Sequence, residues 1–89
     1  MIELIDVQVI GEFQLRLEFS DGSHGNFDGR PLLQRQGSLL QPLRDRDYFS
    51  RCFIDAGGLA WPNGLELSPA TLHSMLRDSD CLRGGPRAA

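Results

Sequence analysis

The residues with the greatest chemical promise lie within eleven positions, "FSDGSHGNFDG", residues 19 to 29. Asp21, His24 and Asp28 are oxygen and nitrogen donors of the kind that hold zinc or a similar ion. Gly22, Gly25 and Gly29 invite comparison with loops that cradle a phosphate. Spacing argues against both chemistries. His24 and Asp28 are four residues apart, about 13 Å along an extended strand, too far to share one ion. A calcium loop would need acidic or amide residues two and four positions after Asp21, where Ser23 and Gly25 stand. Phosphate loops follow a strand and open a helix, with a GxGxxG or GxxxxGK[ST] pattern. Neither pattern occurs here. Asp21-Gly22 between two extended segments reads instead as a hairpin turn.

Nucleophilic chemistry is no better supported. A reactive cysteine needs a base or positive charge that lowers its pKa. Cys52 alternates with Ile54 and is expected to face the core, while Cys81 lies eight residues beyond His73. No GxSxG elbow accompanies the serines. The sequence therefore nominates no catalytic residue, no metal ligand and no cofactor. A net charge of −3 argues against binding nucleic acid by phosphate neutralisation. Arg44, Arg46 and Arg51 are interleaved with Asp45 and Asp47, which makes that stretch a mixed, solvated surface. No apolar run approaches the roughly 20 residues that span a bilayer, and MIELIDVQVIGEF lacks the basic start of a secretory signal. A cytoplasmic setting with reduced thiols is the expectation.

The elements that must position any site follow from periodicity. Phe13, Leu15, Leu17 and Phe19 alternate with Gln14, Arg16 and Glu18, a half-buried strand. Ile5, Val7 and Val9 give the preceding strand its inward stripe, with a turn expected at Gly11-Glu12. A third strand is expected over 23–28, a short helix over 30–35 with Pro31 in its first turn, and a helical turn over 45–49. Residues 51–55 and 59–61 read as fourth and fifth strands around Gly57-Gly58. Ser68-Pro69 opens a last helix, whose Leu72, Met75 and Leu76 form its buried stripe. The expected fold is α+β: an antiparallel β-meander of about five strands with two or three short helices packed on it. At 89 residues there is material for one core, assigned to residues 1–78, with a flexible tail over 79–89.

Several spaced motifs occur in order: "FSDG", "FD" with "RPLL", "LRDRDYF", "ID", "WPNG" and "LSP". Over residues 3 to 76 the chain resembles the bacterial domain of unknown function 2442 family. The resemblance implies the same small α+β domain, in proteins that sometimes pair with another small protein in a toxin–antitoxin-like arrangement. Longer relatives add a helix-turn-helix after this domain; this sequence ends soon after its last expected helix, so no DNA-reading head is expected.

Two functional classes follow. The first is a protein-interaction or regulatory module, binding a protein partner or a second copy of itself. Leu4, Ile10 and Phe53 fall on the parity opposite the inward stripes, and an exposed apolar patch there would mark an interface. Trp61 and Asn63, in "WPNG", are further candidates: Trp61 either caps the core or serves as a hot spot. The second class is a small-molecule binder or minor enzyme, with a pocket between the sheet and the 37–48 segment near Asp28 and Asn63.

Overall fold

The computed structural model describes residues 1–85. Strands β1 (Leu4–Gly11), β2 (Gln14–Phe19) and β3 (Ser23–Asp28) lead to a helical turn, α1 (Arg30–Leu33). A 3₁₀ turn at Pro42–Arg44 precedes α2 (Arg46–Phe49), followed by β4 (Phe53–Asp55), β5 (Gly58–Ala60) and β6 (Glu66–Leu67). The chain then forms α3 (Pro69–Asp78) and a last strand, β7 (Leu82–Gly84). The protein is α+β and its sheets are antiparallel. Instead of one five-stranded meander there are two sheets, ordered β1-β2-β3-β7 and β4-β5-β6. The break falls where Leu32, Leu33, Leu40, Leu43 and Phe49 enter the core from the long connection after β3. That connection separates the two hairpin systems.

Alternation in β2 and β3 is obeyed. Leu15, Leu17 and Phe19 are buried with Phe27, and Arg16 and Glu18 on the opposite face form an ion pair at 3.5 Å. β1 departs from the expected parity. Leu4 pairs with Phe19 and Asp6 with Glu18, so Ile5 is an extra residue; likewise Val9 pairs with Leu15 and Gly11 with Gln14, so Ile10 is extra. A bulge shifts the register by one residue, which moves side chains to the other face. Leu4 thus joins the core at 2% exposure and Ile5 is exposed, while Val9 stays paired with the buried Leu15 but is itself exposed at 48%.

Turn chemistry also differs in detail. The β1–β2 turn is Glu12-Phe13, with Phe13 at φ +56°, a conformation disfavoured for a bulky side chain. It is held there because Phe13 O accepts from Gly29 N at 2.8 Å and its ring meets Phe49 edge-on at 5.5 Å. The β2–β3 loop has three residues: Gly22 N donates to Phe19 O at 3.0 Å and only Gly22, at φ +88°, is left-handed. This is the turn-plus-αL-glycine form of hairpin rather than the two-residue type I′. Type I′ geometry occurs between β4 and β5, where Ala56 and Gly57 both have positive φ.

The expected flexible tail is corrected over its described part. After α3, Asp80 takes φ +60°. Asp80 N donates to Arg77 O at 3.1 Å and Cys81 N to Leu76 O at 2.8 Å. These two bonds are a Schellman helix stop, which reverses the chain so that Leu82 pairs with Gly25 and Gly84 with Ser23. Gly25 is what allows the approach: a Cβ there would lie 2.5 Å from Cys81 O. Residues 86–89 of that tail lie outside the described residues. At its other end α3 is capped by Ser68, whose Oγ accepts from Thr71 N at 3.1 Å.

Candidate functional site

The glycine-rich stretch resolves into structure. Asp21 Oδ1 accepts from Ser23 N at 2.9 Å and from the Ser23 hydroxyl, while Asp21 Oδ2 lies 3.5 Å from His73 Nε2 on α3. The Ser23 hydroxyl holds the Asp21 carboxyl below its ordinary range, against burial, with help from the Ser23 backbone N–H and the nearby His73. Serine, aspartate and histidine are therefore in contact, but in the wrong order for a nucleophile. A triad places histidine between serine and aspartate so that it can take the hydroxyl proton. Here the aspartate lies in the middle and ties the hairpin turn to α3. The His73 ring meets Phe19 edge-on at 5.3 Å. No local signal in the sequence joined Asp21 to a histidine 52 positions away; only the packing of α3 does. Among the described residues, no group of three or more His, Cys, Asp or Glu side chains is placed to hold a metal ion.

Cys52 is not activated by its surroundings. Burial pushes the Cys52 thiol up to about 11, which leaves little thiolate at neutral pH. Cys81 sits at the α3 stop rather than in a loose tail, with its Sγ 3.5 Å from Ser79 O.

The five candidate surface residues divide. Leu4 is in the core because of the Ile5 bulge. Trp61 is also buried, at 1% exposure, with its Nε1 donating to Phe49 O at 2.9 Å. A ring that size, with its one donor satisfied, serves the interior and offers nothing to a partner. Asn63 uses both ends of its amide within the fold: Nδ2 donates to Leu39 O at 2.9 Å and Oδ1 accepts from Leu65 N at 3.2 Å. It fastens the WPNG turn to the segment before Leu40. Ile10 and Phe53 remain, both more than 40% exposed. Ile5, Val9 and Ile54, whose alternation predicts an inward facing, are exposed as well.

These side chains belong to two strands that meet. β4 lies alongside β1, and Leu4 N donates to Gly57 O at 2.7 Å where the β4–β5 turn touches the start of β1. Both are edge strands of their sheets. Ile5, Val9, Ile10, Phe53 and Ile54 are thus exposed apolar side chains on two strands that adjoin, with Asp6 and Gln8 of β1 bonded to each other at 3.2 Å. Apolar side chains of this kind can exclude water against another apolar surface, and none of the five can move a proton.

The 37–48 segment does not roof the expected pocket. Leu40 and Leu43 are buried, and Arg44 Nε donates to Leu33 O at 3.1 Å, closing the segment onto α1. A cleft of about 470 Å³ lies elsewhere, between the end of β3 with α1 and the last turns of α3. Phe27, Pro31, Met75 and Leu76 line it, with Asp28 and Asp78. No helix among the described residues is long and apolar enough to cross a membrane.

A small α+β domain of two antiparallel sheets, lacking an assembled catalytic constellation among its described residues, is the class this geometry defines. The chain belongs to the family described as "Protein of unknown function (DUF2442)", whose model matches residues 4–74. The match begins at the buried Leu4 and ends within α3. Neither the curated proteins nor the solved structures contain a match to the chain.

Proposed function

We propose that this protein is a small cytoplasmic interaction module that binds a protein partner, or a second copy of itself, through the ridge formed by β1 and β4. The observation that carries this reading is the exposure of Ile5, Val9, Ile10, Phe53 and Ile54 on two adjoining edge strands. Single exposed apolar residues are ordinary, but five on two adjoining strands of a domain this small favour a surface that is covered in use. The bulges at Ile5 and Ile10 disfavour simple strand-to-strand addition along β1, so the contact is one of side chains. The toxin–antitoxin-like pairing that the family resemblance implies makes a second small bacterial protein the partner to look for.

The test compares the wild-type chain with Phe53→Asp by co-purification from the native cytoplasm and by sedimentation of the purified protein. The variant should lose a stoichiometric partner, or fall from dimer to monomer. Its unfolding free energy should stay within about 0.5 kcal/mol of wild type, as expected for an exposed site. A wild-type chain that sediments as a monomer and retains no stoichiometric protein overturns the proposal. So does a Phe53→Asp variant that keeps its partner undiminished.

A further inference from the structure

We infer that the cleft between β3–α1 and α3 is a second docking site, independent of the β1–β4 ridge, for a protein segment that presents an apolar side chain beside an arginine or lysine. The cleft walls are apolar: Phe27 from β3, Pro31 from α1, and Met75 with Leu76 from α3. Its about 470 Å³ accommodates one or two large side chains, and it is open to solvent on one side. An enclosed small-molecule site would cover most of its ligand; this one suits a chain lying across it. Met75 is half-buried, and its unbranched thioether can adapt to more than one apolar guest.

The charged side chains that line the cleft are both acidic. Asp28 and Asp78 both line it, and no basic side chain does. Asp28 Oδ1 accepts from Arg30 N at 3.0 Å, which fixes the carboxylate at the end of β3. Asp78 is largely exposed, and its nearest cation, Arg77 Nε, stands 3.9 Å away. Arg77 itself lines a different cleft, with Met1, Ile2 and His73. Two carboxylates around an apolar floor complement a cationic residue adjoining an apolar anchor. An acidic or purely apolar segment gains nothing from them.

The full chain, labelled with ¹⁵N, would be titrated with two capped and amidated tetrapeptides, Arg-Leu-Phe-Arg and Glu-Leu-Phe-Glu, and separately with 2-phenylethylamine. The arginine peptide should give saturable shifts at the amides of Phe27, Asp28, Met75, Ser79 and Cys81, and bind at least about fivefold more tightly than the glutamate peptide. A D28N/D78N double variant should lose about fivefold for the arginine peptide alone. Both changes leave the fold in place, because an amide oxygen at position 28 can still accept from Arg30 N and position 78 is exposed. Equal binding of the two peptides overturns the inference, as does binding that the double variant does not weaken. Shifts confined to β1 and β4 overturn it while supporting the ridge. Tighter binding by 2-phenylethylamine than by the arginine peptide overturns the assignment to a protein segment.

Discussion

The two flanks of the four-stranded sheet differ in composition and end in opposite conditions: β1, rich in aliphatic residues, is the open one, and the more polar β3 is the covered one. On the β3 flank, Ser23 and Phe27 point inward in strict alternation around Gly25, α3 packs across them, and β7 completes the sheet edge. On the β1 flank the strand carries two extra residues, and Ile5, Val9 and Ile10 are left in water. Hydrophobicity alone would predict the reverse; register and close approach decide. A missing side chain at Gly25 lets a helix stop settle against one flank, and an inserted residue in β1 turns apolar groups away from the core on the other. One flank is covered by α3 and β7, and the other leaves apolar side chains exposed.

Leu4 is the residue that crosses this division, so its replacement gives the largest expected effect. It is an aliphatic residue on the open strand, but the Ile5 bulge places it opposite Phe19 in the core. Leu4→Ala should lower the unfolding free energy by about 2–4 kcal/mol through lost burial and the cavity left behind. Ile10→Ala, on the same strand, should change it by less than about 0.5 kcal/mol. Urea denaturation of the two variants measures the contrast directly. Similar losses for both would mean that the bulges do not set the facing of β1.

Gly25→Ala probes the closed flank. The added methyl would lie 2.5 Å from Cys81 O and 3.2 Å from Leu76 Cδ1, so either β7 or the end of α3 must move. The expected cost is about 1–3 kcal/mol, typical of forcing an extra carbon into packed structure. Hydrogen exchange should show faster exchange at Leu82 and Gly84, with β1 unaffected. Unchanged protection at β7 would show that the close approach at Gly25 is not what holds the strand.

How much of this was legible in the sequence depends on how local each cause is. Leu15, Leu17 and Phe19 were readable because β2 is central and regular, so parity alone sets their facing. The facing of β1 is not legible because a bulge leaves no mark on a hydrophobic pattern; Leu4 and Ile5 exchange roles through one inserted residue. β7 was hidden for a different reason. Its helix stop uses Asp80 in the left-handed region, where glycine is the usual signal, and a three-residue strand has no periodicity to detect. Among the surface candidates, Phe53 was readable as an outward residue of a short edge strand. Ile10 is exposed as parity predicts, although it is the extra residue of a bulge. Trp61 and Asn63 form one turn whose side chains serve the fold, and only their hydrogen bonds to Phe49 and Leu39 reveal that.

The smallest expected effect concerns how the closed flank is fastened. Asp21 is held ionised by Ser23 and lies against His73, so the β2–β3 turn is tied to α3 by a carboxylate. Its folded-state pKa is depressed below the ordinary 3.8. The stability it contributes is therefore present above that value and is lost as pH falls through the lower, folded one. Asp21→Asn retains an oxygen to accept from Ser23 N but removes the charge, and should cost about 1 kcal/mol near pH 7. Once the pH is below the folded-state value the variant and the wild type should converge, because both then present a neutral side chain. Thermal unfolding midpoints followed from strong acid to neutral pH would display this as two curves that separate as the carboxyl ionises. A constant gap at every pH would assign the loss to altered packing and remove the charge from the account of this flank.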